Sequence, residues 1–451
     1  MPRKLPVRAH IRKKLSATPS LEAPVSTPAV KGGRYSVLPR LAGKGYIPLG
    51  VFARVPLAML TIGVLTLVTQ VSNSYAIGGF AAGCIGIGAA IGAPVTGYLA
   101  DRLGQKPVLL VAAVVNAILV SSVVFLAYSL LPDSGAKATD GATLVVFAAA
   151  LLAGATSPQV GPLSRVRWMA LSKKLPAREQ APAVDTALSL EGTADEVTFV
   201  LGPALVGLLA SLVAPWLPLV LAAAMTLVLV TLFALHPTEQ AVSARPAASS
   251  TVGNAGYVTS RKPNWFLVAV PVAAMLCMGA FFGSSQTALT AFTGVHGSVD
   301  QAGLMYAIMG ASSAVTALSV AYWSVKFSHV WRWVLTSGFM AAGTVVFLAP
   351  TSLGQMVWVL LLVGLPVGPA MVTIFSVGSV VAPPQWMGTV MTALASGIVA
   401  GTALGSSVAG SLAQGVGYQA AFVVPIVAAS ALFLLGVLAA VVLRRQLSTG
   451  R

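Results

Sequence analysis

Three acids interrupt an otherwise apolar stretch of this chain: Glu191, Asp195 and Glu196, in the run Glu191-Gly-Thr-Ala-Asp195-Glu196. Successive side chains of an α-helix turn by about 100°, so Glu191 and Asp195 share one face a turn apart, and Glu196 points away from Glu191. An unpaired charge at the centre of a membrane helix costs roughly 2.5–3.5 kcal/mol on insertion scales. Such acids need a counter-charge, water or a proton. Arg54 is a basic residue inside another apolar stretch of the same half of the chain. Burial favours a neutral carboxyl and a nearby guanidinium favours the anion, so the two influences compete. Two readings fit these residues: a fixed interhelical clamp, and a proton carrier in the acid that Arg54 does not hold.

The composition says which elements must position them. The chain has 451 residues, 57% hydrophobic and only 8% charged, against about 25% charged in a soluble globular protein. That deficit places it in a bilayer. Its net charge of +16 is concentrated: ten of the 27 Lys and Arg residues lie in residues 1–47, where Glu22 is the one acid. No basic surface interleaved with aromatics accompanies them, so nucleic acid is not expected as a partner. A basic tail rich in Pro, Ser, Thr and Ala reads as disordered and as meeting anionic lipid headgroups. The first apolar segment starts near Ile47 and is long enough to span, so no cleaved secretory signal is expected. Cys84 and Cys277 fall inside apolar segments and form no disulfide framework.

Twelve apolar segments have spanning length. Their approximate limits are 48–71, 76–100, 107–131, 143–163, 186–212, 216–236, 265–290, 301–324, 331–350, 354–380, 386–412 and 418–443. We number them spans 1 to 12. Of the 27 Lys and Arg residues, 25 fall before span 1, in the even-to-odd loops or after span 12, leaving Lys137 and Arg54. That asymmetry predicts both termini in the cytoplasm, in a multi-pass protein of the plasma (inner) membrane. The expected domains are a disordered basic tail (1–47), a six-helix bundle (48–236), a cytoplasmic linker (237–264), a second six-helix bundle (265–443) and a short tail (444–451). A weak repeat supports two halves. A shift of 224 residues lays Gly79 on Gly303, Gly86 on Gly310, Tyr98 on Tyr322 and Arg102 on Lys326, while Asp101 falls on Val325.

Between spans 2 and 3 stands Gly97-Tyr98-Leu99-Ala100-Asp101-Arg102-Leu103-Gly104-Gln105-Lys106. So few residues between two spans must turn the chain sharply at one membrane face. Gly97 and Gly104 permit close approach and the turn, and Arg102 and Lys106 favour the cytoplasmic side. This run resembles the signature loop of the major facilitator superfamily, G-x-L-A-D-R-x-G-x-[RK]. The resemblance covers residues 48–443. It implies an all-α membrane protein of twelve transmembrane helices in two pseudo-symmetric six-helix bundles, the paired-repeat architecture for which that superfamily is itself the standard example.

The resemblance also implies roles. Spans 1 and 5 are neighbours in the family fold, so Arg54 is expected to pair with Glu191 or Asp195. Asp101 should dock on the start of span 11, near Trp386 to Thr389, through the helix dipole, and losing that contact should favour the outward-open state. Gly202 and Pro203, with Gly207 beyond, resemble part of the family's antiporter motif, whose core is G-P-x-x-G-G. An intramembrane arginine belongs in span 4 of the drug antiporters, whereas here Arg165 and Arg167 read as lying at its cytoplasmic end. The central cavity would be lined by spans 1, 4, 7 and 10. Polar candidates are Thr66, Gln70, Thr156, Gln159, Gln286 and Thr373, with Met275, Phe281, Phe282 and Met371 as an adaptable apolar lining. Gly397, Gly401 and Gly405 mark a close-packing face of span 11.

These features point to a proton-coupled secondary transporter exporting small amphipathic compounds, with metabolite uptake or exchange by the same fold as the alternative and a non-transporting receptor or scaffold as a third. The expected partners are a small-molecule substrate, protons and anionic membrane lipids, with a monomeric state. An ATP-driven pump is disfavoured, because no G-x-x-x-x-G-K-[ST] loop occurs and Gly86, Gly88 and Gly92 lie inside span 2. A membrane enzyme is disfavoured too: His10, His236, His296 and His329 fall in tails, loops or span ends, and no H-E-x-x-H occurs. No cofactor or metal is expected.

Overall fold

Helix dominates because a bilayer core offers no partner for an unpaired backbone group. In the computed structural model the described residues are 33–131, 140–243, 265–296, 301–324 and 326–449. The expectations for residues 1–32, Lys137, linker residues 244–264, Val325 and residues 450–451 lie outside them. Among the described residues twelve helical stretches are long and apolar enough to cross a membrane: Tyr46–Ser72, Ile77–Leu103, Gln105–Leu130, Gly141–Ser172, Ala177–Leu212, Leu217–Leu235, Trp265–His296, Ala302–Tyr322, His329–Leu348, Leu353–Val381, Pro384–Gly415 and Tyr418–Val442. They are spans 1 to 12.

Spans 1–6 pack on one another and spans 7–12 on one another, each set around its own apolar core. Span 2 against span 11, and span 5 against span 8, join the halves. A small apolar cluster of Leu188, Ala317, Val320 and Val372 lies across the same junction. We call the side where span 1 starts and span 12 ends the tail face, and the opposite side the far face.

Two spans break, each beside a proline. Span 1 runs as Tyr46–Phe52 and resumes as Val55–Ser72. Pro56, in the first turn of the second piece, has no N–H for the preceding turn, and Arg54 is left at the joint. Span 4 runs as Gly141–Ala155, breaks around Pro158 and resumes as Val160–Ser172. The sequence reading ends span 4 at residue 163, where polar residues begin. The structure carries it to Ser172, because those polar residues turn inward onto span 5.

Other limits shift for the same reason. Residues 33–47 belong to a stretch read as a disordered tail, yet Arg34–Ser36 and Val37–Ala42 are helical, and Leu38 and Tyr46 are buried. Within the expected linker, Pro237–Glu239 and Gln240–Ser243 are helical and Thr238 is buried. Span 5 begins nine residues before its expected start, at Ala177, and the last helix continues to Thr449, through most of the expected end tail.

Gly104 joins spans 2 and 3 at φ 91° and ψ 153°, a backbone region essentially closed to residues with a Cβ. Gly104→Ala is therefore expected to cost about 1–3 kcal/mol. A thermal melt of the purified variant that matched wild type would show that the turn can relax.

Candidate functional site

The break in span 1 aims Arg54 across to span 5. Its guanidinium pairs with Glu191 and, at 3.4 Å, with Asp195. The resumed half of span 4 supplies the rest. Arg165 Nη2 lies 2.6 Å from Asp195 Oδ2. Ser164 Oγ and Trp168 Nε1 donate to Glu191 Oε1 at 2.8 and 2.7 Å, and the Tyr46 hydroxyl lies 2.8 Å from Ser164 Oγ. Two carboxylates thus face two guanidiniums, and Glu191 is saturated by one cation and two neutral donors. Arg54, Arg165, Glu191 and Glu196 are all buried. A Cβ at Gly161 would lie 3.2 Å from Arg54 Nε and in ordinary contact with Asp195 and Arg165, so the cluster packs directly against this glycine.

Arg165 corrects the sequence reading. It lies within the resumed helix of span 4, seven residues before its end at Ser172, and is only 1% exposed. The helix resumes after Pro158, and Ser164 and Trp168, four residues apart, bring that face onto span 5. That spacing was legible; the polarity of the segment masked it. The guanidinium also stacks on Phe375 of span 10, 3.8 Å from the ring centre, so the cluster abuts the second half.

Glu196 stands apart. Among the described residues it forms no ion pair, and it accepts a hydrogen bond from Ser313 Oγ of span 8 at 2.8 Å. One turn earlier Thr193 donates to the Ala314 carbonyl at 3.1 Å. The third acid therefore faces the junction between halves, while the other two face the interior of the first.

The tail face is closed by contacts between the halves. Asp101 accepts from the backbone N–H groups of Gly388 and Thr389 at 2.9 and 2.7 Å and from the Thr389 hydroxyl at 2.7 Å. This is the expected docking on the start of span 11, where the N–H groups of the first turn have no helical partner. A Cβ at Gly97 would collide with the Gly388 carbonyl and the Thr392 side chain, so the end of span 2 relies on close approach there. Arg102 lies over the Tyr98 ring at 5.1 Å, and Lys106 is exposed in the first turn of span 3. A second contact went unseen in the sequence: Arg332 of span 9 donates to Asp185 of span 5 at 2.9 Å, with His329 Nε2 3.7 Å from the same carboxylate.

Arg167 points elsewhere. It bonds Gln105 at 2.8 Å, the Phe233 carbonyl at 2.7 Å and Thr238 at 3.1 Å, tying span 4 to the start of the linker. Nearby His236, between span 6 and the linker, is held below its ordinary pKa by burial and then by Arg167.

The candidate cavity residues do not converge as expected. Met275, Phe281, Phe282 and Met371 belong to the apolar core of the second half. The glycine face of span 11 draws span 7 so near that a Cβ at Gly397 or Gly401 would strike its backbone, and Met275 packs there. Thr373 and Thr156 donate to carbonyls of their own helices at 2.6 and 2.9 Å, and Gln159 donates to Ser157 at 2.9 Å. Gln70 and Gln286 are exposed and Thr66 is half-buried. Gly202 lets span 5 cross against Ala58 of span 1, Pro203 sits within a continuous helix, and Gly207 has open space beside it.

A family model described as Major Facilitator Superfamily matches residues 48–397. Among solved structures, the human organic anion transporter MFSD10 (TETRAN) is similar at TM-score 0.62 and 20% identity, over 87% of this chain and 98% of that one. A bacterial homologue of the iron transporter ferroportin, in an outward-facing state, is similar at TM-score 0.63 and 13% identity, over 88% and 98%. At these identities the likeness is one of fold. No curated protein matches the chain by sequence.

Proposed function

The chain belongs to the Major Facilitator Superfamily, and from that premise we propose that it is a proton-coupled secondary transporter that exports small amphipathic compounds by alternating access. One observation carries the reading. Of the three clustered acids Glu191, Asp195 and Glu196, the first two are neutralised by arginines of their own half, and the third, the buried Glu196, meets the other half through a neutral hydroxyl. A carboxyl without a cation can exist uncharged at depth by binding a proton. Set on the surface that must part when the halves rock, it exchanges that proton as its surroundings change. The paired acids form the clamp that keeps spans 1, 4 and 5 in register.

The concentration of Lys and Arg toward the tail face supports a cytoplasmic assignment for it, and we take the membrane to be the plasma (inner) membrane. The contacts of Asp101 and Arg332 then describe a molecule closed to the cytoplasm. The apolar surroundings of the junction favour an amphipathic cargo over a sugar, which needs many hydrogen-bond partners. The named cargoes of the two similar structures differ from each other, so the cargo class rests on this chain's own residues. We take the protein to act as a monomer, with anionic lipids around its basic face.

Proteoliposomes under pH gradients of either sign, offered a panel of organic cations, antibiotics and metabolites, test this reading. We expect substrate to move against the proton flow and to reverse when the gradient is reversed. Flux with the protons would favour uptake, and flux indifferent to the gradient would overturn proton coupling.

A further inference from the structure

Arg34 and Tyr35 precede span 1, in a stretch whose composition reads as a disordered tail. The short helix that follows them, Val37–Ala42, is seated on the first half. Leu38 and Ala42 bury in one cluster with Leu163, Trp168, Ala187 and Phe233. The two residues ahead of that helix reach the other half. The Arg34 guanidinium donates to the Ala321 carbonyl, and the Tyr35 hydroxyl donates to the Leu318 carbonyl at 2.6 Å. Arg34 also lies 5.7 Å from the centre of the Tyr322 ring, and the Tyr35 and Tyr322 rings are 6.1 Å apart.

Leu318 and Ala321 belong to the end of span 8, which tightens into a 3-10 turn at Val320–Tyr322. The last carbonyls of a helix have no partner within it and carry the negative end of its dipole. A guanidinium placed there is attracted as Asp101 is at the positive end of span 11. Burial, with a smaller contribution from Tyr322, pushes the Tyr35 hydroxyl up to about 12 against the hydrogen bond with Ser189, so it remains a donor at physiological pH.

We propose that Arg34 and Tyr35 form a second helix-end latch across the tail face, opposite in sign to the Asp101 latch, which must release before that face opens. Because the strap helix is anchored to the first half, rocking cannot carry Arg34 and Tyr35 along with span 8, and both hydrogen bonds break. The inference rests on the alternating-access reading above and is independent of proton coupling and of the cargo.

The test is the distance across the tail face, measured by paired spin labels at Lys174→Cys and Val380→Cys in full-length protein in lipid nanodiscs, without added substrate and with Cys84 and Cys277 replaced by serine. Both label sites are exposed. Arg34→Ala should raise the ratio of open to closed tail-face populations about three- to tenfold. Arg34→Glu, which sets an anion on the negative helix end, should raise it further. Tyr35→Phe should have a smaller effect in the same direction, and Arg34→Lys should largely restore the closed population. Asp101→Asn serves as the control at the other latch. If Asp101→Asn opens the face and Arg34→Glu does not, the Arg34 latch is overturned and alternating access stands. If neither opens it, both fall.

Discussion

Replacing Arg54 with leucine should destabilise the folded protein by roughly 3–5 kcal/mol, the usual cost of stranding a buried charge. Among the described residues Arg54 is the only cation paired with Glu191, whereas Asp195 keeps Arg165 when Arg54 is lost. Ser164 and Trp168 still donate to Glu191 in the variant, but neutral donors do not balance its charge. Removing both charges avoids the penalty, since a buried ion pair replaced by apolar groups of similar size is often neutral in stability. Arg54→Leu with Glu191→Leu should therefore melt closer to wild type than Arg54→Leu alone. Thermal unfolding in detergent measures both. A single variant within about 1 kcal/mol of wild type would reject the clamp.

Glu196→Gln should have the opposite profile, with little loss of stability and complete loss of the response to a pH gradient. Glutamine retains a side-chain oxygen that can accept from Ser313, so the contact between spans 5 and 8 survives and the cost stays near that of an ordinary hydrogen-bond adjustment, about 1 kcal/mol. What it cannot do is bind and release a proton. The groups around this position are Ser313 and Tyr306 on span 8 and the neighbouring Asp195, itself held by Arg165. Substrate exchange at equal pH should persist while gradient-driven flux falls to the level without a gradient. Gradient-driven flux unchanged in Glu196→Gln would pass the carrier role to another group and remove the main support for the proposed coupling.

The two variants separate roles that the sequence presents together. Glu191, Asp195 and Glu196 read there as one cluster with one candidate cation, and clamp and carrier fit equally well. Helical spacing correctly sets Glu196 off from Glu191. It does not say what each face meets. Arg165 was the missing partner, and it was missed because hydropathy ended span 4 where polar residues begin. Polar residues end an apolar segment only when they face lipid or water; here they face span 5.

Arg34 and Arg332 were misplaced for the same reason. Arg34 sits in a stretch whose composition reads as tail, and Arg332, at the expected start of span 9, counts with the loop charges, yet Arg332 is 1% exposed and Arg34 bonds the end of span 8. The apolar cavity residues erred in the other direction. Met275, Phe281 and Met371 lie on spans expected to line the cavity, but all three are buried in the apolar core of the second half, Met275 against the glycine face of span 11 and Met371 beside Gly192 of span 5.

By itself the sequence determined the number of spans, the division into two halves, the tight loop between spans 2 and 3 and its dock, and the presence of acids too costly to leave bare. These follow from local quantities: runs of apolar side chains, the distribution of positive charge and the conformational demands of glycine and proline. Only the tertiary structure decided which acid is clamped, which faces the other half, and which basic residues leave the loops to become interior partners. Those outcomes depend on contacts between residues as far apart as Glu196 and Ser313, or Arg34 and Ala321, and pairwise electrostatics in a low-dielectric interior is set by distances that no local pattern encodes.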